Sequence, residues 1–219
     1  MLTVKEVYEA IDAFAPFASQ ESWDNSGLLV GGMAQPADRI LTTLDISEAI
    51  VAQAVAEQVQ LVVAHHPVIF SPLKTLPPDS PVYQLAAHGI AAICVHTPLD
   101  MAPLGLNTFA HTLLEKPLAL QGTQEVLEPS WTDGRGFGWI DTSARTWTPQ
   151  TLAQTLQTAF GEVRYSAAER SIRKIAYCSG SAASMLELAA AKGCDALITG
   201  DIKHDRWYAA EFAGIALFD

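Results

Sequence analysis

The chain has 219 residues, 49% of them apolar and 17% charged, with 14 glycines and 12 prolines spread along its length. It is too apolar to be disordered, and no apolar run reaches the roughly 20 residues that a membrane-spanning helix needs. Lysine and arginine total 13 against 24 aspartates and glutamates, and the net charge of −11 disfavours nucleic acid and anionic membranes as partners.

Thr3-Val4-Lys5-Glu6 reads as a capping box, with Thr3 as N-cap and Glu6 at the third helical position. Val4, Val7, Tyr8, Ile11 and Phe14 then recur at helical spacing until Pro16 closes the element. This N-terminus has no apolar signal-peptide core. A loop, Ser22-Trp23-Asp24-Asn25-Ser26-Gly27, leads into an expected strand at Leu28–Val30. Further strands are expected at Ile40–Leu44, Leu61–Ala64 and Ala91–Val95, with helices over Glu48–Gln58, Val82–His88 and Leu104–Leu114. From Pro117 to about Asp141 the helical period disappears, and turn signals such as Asp133-Gly134 predict an antiparallel stretch or edge. Helices return at Pro149–Phe160, Ala182–Ala191 and Asp205–Phe212, between strands at Val163–Tyr165, Ile172–Tyr177, Ala196–Thr199 and Ile215–Phe218. Such alternation predicts an α/β fold with largely parallel strands. A fixed offset lays Ile40 over Ile175 and Leu61–Ala64 over Ala196–Thr199, which suggests two similar α/β lobes. The first is expected over residues 1–115, with 196–219 as a segment that could pack on it, and the second over 116–219.

Cys94, Cys178 and Cys194 are odd in number and sit inside apolar runs. They read as buried thiols of a reduced, cytoplasmic protein. His65-His66-Pro67 follows a buried strand directly, and Val95-His96-Thr97-Pro98-Leu99-Asp100 repeats the arrangement with a carboxylate added. Two strand tips rich in imidazole and carboxylate, in a chain with only six histidines, point to a metal site. Neutral imidazole and carboxylate suit Zn, Fe, Mn, Co or Ni. Adjacent histidines serve two ions better than one, each taking one ring, and such paired ions sit about 3.5–4 Å apart around a shared water. Asp45 is placed to orient a ligand histidine, or simply to form a strand-to-helix turn that Ser47 caps. Asp201 could take a metal or a substrate donor, and Lys203 an anion; alternatively Asp205 caps a helix and His204 is a solvated turn residue. His88 and His111 read as surface or boundary residues of helices. Gly134–Gly138 (GRGFG) lacks the strand-then-helix context of a dinucleotide loop. The five scattered tryptophans read as packing.

The segments SWDNSGLLVG (Ser22–Gly31), LTTLDIS, VVAHHPVIFSPLK (Val62–Lys74), VHTPLD (Val95–Asp100), LNTFA (Leu106–Ala110) and ALITGDIKHD (Ala196–Asp205) run nearly the whole chain. Together they resemble the dinuclear-metal family of the NGG-interacting-factor type, whose bacterial members are labelled GTP cyclohydrolase 1 type 2 homologues. The resemblance implies two α/β lobes with mixed sheets facing a central metal cleft. It also implies two divalent ions, His65 and His66 on separate ions, Asp100 shared or neighbouring, and His96 beside the site. Asp45, Asp201, Lys203 and His204 are then candidates to orient those ligands or to line the substrate's rim. Family members tend to form hexameric rings, and the short spacer here leaves no room for the regulatory domain that some carry. In the family a Gly-His and then a Glu follow the strand equivalent to Ile215–Phe218 and complete the metal site. This sequence stops at Asp219 and so carries half of the expected ligand set; it also has His204-Asp205 where two histidines are common. The implied function is a metal-dependent hydrolase whose activated water attacks a nucleotide-like small molecule. The alternative is a non-catalytic metal-binding scaffold in a ring assembly, which the incomplete ligand set favours. A DNA-handling role fits the net charge poorly.

Overall fold

Thr3 caps the first helix, α1 (Val4–Phe14), through a reciprocal capping box: the Glu6 N–H donates to Thr3 Oγ1, and the Glu6 carboxylate accepts from the Thr3 N–H. In this computed structural model, which describes residues 1–166 and 169–219, α1 opens the first of two units, Met1–Pro103 and Leu104–Asp219.

The first unit holds β1 (Gly27–Val30), β2 (Ile40–Thr43), β3 (Leu61–Ala64) and β4 (Ala91–Cys94), with helices α2 (Glu48–Ala56), α3 (Pro81–Ala87) and α4 (Thr97–Met101). The sheet order is β1-β4-β3-β2, with β2, β3 and β4 parallel and β1 antiparallel on β4. Alternation along the strands sorts the side chains into two cores, one on each face. Leu61, Ala91 and Ile93 pack with Val4, Ile11 and Phe17, whereas Val62 and Ala92 pack with Val51, Leu85 and Ile90. Each wholly buried Leu or Ile contributes about 1.5–3 kcal/mol.

The second unit holds α5 (Leu106–Glu115), β5 (Glu125–Pro129), β6 (Gly136–Trp147), α6 (Pro149–Phe160), β7 (Ile172–Tyr177), α7 (Leu186–Ala191), β8 (Ala196–Ile198), α8 (His204–Ala213) and β9 (Ala216–Phe218). Its order is β5-β6-β7-β8-β9: the first three strands are antiparallel and the last three parallel. Both sheets are therefore mixed, in two α/β units. The antiparallel stretch expected before Asp141 is the β5–β6 pair. The unit boundary falls earlier than residue 115, because Leu114 of α5 buries with Trp139 and Trp147 of β6. Residues 196–219 supply two strands of the second sheet. The strand expected at Val163–Tyr165 is reduced to a single bridge, Tyr165 to Phe218, flanked by paired backbone bonds between Arg164 and Asp219.

The internal repeat holds at the level of strand pairing. Ile40 pairs with Leu61 in the first unit and Ile175 with Ala196 in the second, and the next two residue pairs follow in step. The GRGFG run is structural: a Cβ on Gly136 would run into the Glu128 carbonyl, and one on Gly138, which has φ of +66°, into the Tyr177 carbonyl. All three cysteines are buried thiols. Among the described residues no helix is long and apolar enough to cross a membrane.

Candidate metal centre

Three adjacent parallel strands of the first unit end side by side, the place where α/β sheets put ligands. Asp45 follows β2, His65-His66 follows β3, and His96 follows β4. The ladder runs on just past β3: the His65 N–H donates to the Thr43 carbonyl at 3.2 Å and the His66 N–H to the Leu44 carbonyl at 3.0 Å. Pro67 then stops it, having no N–H to give, and the chain bends at His65 and His66. Both rings are thereby delivered at the strand tip.

Each of the three rings is tethered through the same nitrogen. His65 Nδ1 lies 3.0 Å from the Val95 carbonyl, His66 Nδ1 2.7 Å from Asp45 Oδ1, and His96 Nδ1 2.8 Å from Asp24 Oδ1. These oxygens can only accept, so the bonds assign a proton to every Nδ1 and leave the lone pair of each neutral ring at Nε2. A ring nitrogen of each histidine lies within 4.8 Å of one on each of the others. The ring centroids are 5.0, 5.1 and 5.7 Å apart. The cluster could therefore hold a metal ion. Asp100 Oδ2 stands 4.0 Å from His65 Nε2.

The electrostatics favour neutral donors at the deepest position. Burial pushes the His65 imidazole below its usual range, and this outweighs the pull of Asp100. At His96 the hydrogen bond to Asp24 raises the ring above its usual range, against burial. Burial alone would raise Asp24, but its bonds from His96, Thr97 and Asn25 hold it well below the usual carboxylate range. Cys94 is pushed up to about 12 by burial, and its thiol donates to the His65 carbonyl at 3.0 Å, so it packs against the site as a neutral group.

Asp45 accepts from His66 Nδ1, and Ser47, two residues on, caps α2 by accepting from the Ile50 N–H. His96, expected beside the site, stands in the cluster on the same footing as the doublet. Asp100 sits in the first turn of the short helix α4, which Pro98 can enter because that turn needs no N–H from it. Asp201, Lys203 and His204 belong to the second unit. Asp201 is exposed with a left-handed φ of 50°, Lys203 is the N-cap of α8, and His204 is its first residue, edge-on to Tyr208 at 5.3 Å. The N-cap is thus two residues earlier than Asp205. His111 is not a surface residue: it is buried and donates from Nε2 to Asp141 Oδ2 at 2.9 Å. Asp24 has no role legible in the sequence, because nothing in its loop announces a partner 72 residues away.

A family profile described as Duf34/NIF3 (NGG1p interacting factor 3) matches residues 2–219. The chain belongs to this family. Its resemblance to the NGG-interacting-factor family, read from motifs, is thus borne out over the whole length. A Helicobacter pylori relative named GTP cyclohydrolase 1 type 2 is 34% identical over 226 residues, covering 100% of this NIF3-family chain and 85% of the relative. A Streptococcus pneumoniae relative named GTP cyclohydrolase 1 type 2 homolog is 33% identical over 217 residues, covering 92% and 77%. The fold recurs in a Bacillus cereus protein related to NIF3, with a TM-score of 0.88 at 19% identity over 99% of this chain and 87% of that one. It recurs also in a Staphylococcus aureus hypothetical protein, with a TM-score of 0.86 at 24% identity over 100% and 85%.

Proposed function

We propose that this chain is a metal-dependent hydrolase of nucleotide-like small molecules, with His65, His66, His96 and Asp100 as ligands to a pair of divalent ions. The observation that carries the proposal is the shared tether: three imidazoles, each fixed through Nδ1, cluster with ring nitrogens within 4.8 Å of one another. Such second partners are what orient metal-binding histidines and raise their basicity. The donor set fits Zn, Fe, Mn, Co or Ni. Two donors on one ion, each about 2.1 Å from it, lie at most about 4.2 Å apart. Ring nitrogens within 4.8 Å of one another suit one ion or two neighbouring ones, and the adjacency of His65 and His66 favours one ring per ion. The enzyme's name carried by the Helicobacter pylori relative supports the hydrolase over a non-catalytic scaffold.

When bound, a divalent ion supplies Lewis acidity toward a substrate oxygen and lowers the pKa of water. The chain's own residues do the rest. Asp24 and Asp45 keep two rings aimed and fix their tautomers, the Val95 carbonyl does the same for His65, and burial disfavours protonation of His65. Asp100 adds a carboxylate beside His65, where it can neutralise cationic charge.

The test uses the full chain, stripped with chelator and titrated with Mn, Zn or Fe, reading bound metal by elemental analysis and turnover of GTP by chromatography. The wild type is expected to retain about one to two ions per chain and to turn over substrate. His65→Ala and Asp100→Ala are expected to lose metal affinity and turnover by at least about tenfold. Turnover intact in both variants, or a wild type that takes up no metal, overturns the reading.

A further inference from the structure

We infer that Trp23 and Phe70 form an aromatic shelf that receives a planar ring of the substrate beside the imidazole cluster, and so select for ring-bearing substrates; the inference rests on the metal-centre reading above. The sequence casts the tryptophans as packing residues, yet Trp23 is 57% exposed and Phe70 53%. Their ring centroids are 6.2 Å apart and the planes are tilted by 45°, so the pair opens like a hinge and does not close on itself. Trp23 also meets the His96 ring edge-on, at 5.9 Å and 75°. A ring stacked on Trp23 would therefore lie next to a candidate metal ligand.

The shelf is built rigidly, which an idle surface aromatic would not need. Trp23 precedes Asp24, whose carboxylate accepts from Asn25, Ser26, His96 and Thr97. Asn25 Nδ2 in turn donates to the Ile69 carbonyl at 2.5 Å, fastening the loop of Trp23 to the residue before Phe70. One continuous set of bonds thus joins the residues next to both aromatics to one of the imidazoles. The ring chemistry names the occupant. Surroundings that contain Asp24, Asp45 and Asp100, in a chain of net charge −11, offer an anion little away from the metal. An indole and a phenyl ring bind any π face irrespective of charge, with centroids about 4.5–7 Å apart. The shelf is a specificity-determining contact and takes no part in proton or group transfer.

Two probes that differ only by the ring decide the matter: guanosine 5′-monophosphate and ribose 5-phosphate, each titrated calorimetrically into the metal-loaded full chain. The wild type is expected to bind the ring-bearing probe about tenfold or more tightly than the other. Trp23→Ala and Phe70→Ala should each cut that preference severalfold, Trp23→Phe should keep most of it, and ribose 5-phosphate affinity and metal uptake should stay unchanged. Equal affinities in the wild type, or an undiminished preference in Trp23→Ala, overturn the inference. So does a Trp23→Ala protein that loses its metal, since the residue would then act through Asp24, or one that changes only its self-association, which would make the shelf a contact between copies. A wild type without metal uptake that still prefers the ring refutes the metal reading while supporting the shelf.

Discussion

Asp24 gathers hydrogen bonds from the Asn25 N–H at 2.7 Å, Ser26 Oγ at 3.0 Å, His96 Nδ1 at 2.8 Å, and the Thr97 N–H and hydroxyl at 3.1 and 2.5 Å, while its side chain is wholly buried. The Asp45 carboxylate accepts from His66 Nδ1 at 2.7 Å, and its side chain is 65% exposed. The two acids serve similar roles in very different dielectrics, so their removal should differ. Asp24→Asn takes the charge from a desolvated partner of His96 and is expected to weaken metal binding about 10- to 100-fold. Asp45→Asn, screened by water, should cost less than about tenfold. Metal titration of both variants checks the order, with circular dichroism confirming that Asp24→Asn is folded; a reversed order would remove Asp24 from its assigned role. That the doublet and His96 close strand tips was legible in the sequence because strand, histidine and proline are neighbours along the chain. Asp24 was not, because its partner comes from another strand tip.

Elements whose ends are marked by local chemistry matched expectation best. α1 begins behind the Thr3 box, and α6 behind Thr148, which pairs reciprocally with Thr151 and is followed by Pro149. α4 escaped because its five residues are too short to show a period and its content reads as a strand tip. The link between α5 and β6 escaped for the reason that Asp24 did. Asp141 of β6 is buried and accepts from His111 Nε2, the Gly122 and Thr123 N–H groups, Thr123 Oγ1 and the Thr142 N–H. Burial alone would raise its pKa, but the bonds from Thr123, His111 and Thr142 outweigh it and hold the carboxyl below its ordinary value. A carboxyl lowered in the folded state stabilises fully above its unfolded pKa, about 3.9, and loses that contribution as pH falls toward the folded value. Asp141→Asn is therefore expected to cost about 3 kcal/mol or more at pH 7, and the gap to the wild type should narrow below about pH 4. Denaturant melts of both proteins at pH 7 and pH 3 check this; a gap that is constant with pH would show that the charge does not matter.

At the scale of the whole molecule, the repeat was readable because matched strands keep matched registers, Ile40 on Leu61 and Ile175 on Ala196. What differs is the chemistry placed at the tips. In the first unit β3 is followed by His65-His66, and in the second β8 is followed by Gly200-Asp201. The sequence could show that the two halves were alike, but placing the boundary required knowing what α5 buries against, which is a tertiary fact. The proposed ligands all come from residues 65–100, within the first unit. A ligand that binds only the folded state stabilises it by about 2.7 kcal/mol at a hundredfold excess over Kd. That stabilisation reaches only those openings that break the site. Hydrogen exchange with and without saturating metal should therefore show amides of β3 and β4 gaining protection by up to about a hundredfold, while those of β7 and β8 change little. Equal gains in β8 would mean that the second unit also supplies ligands, and a centre built from the first unit alone would then be wrong.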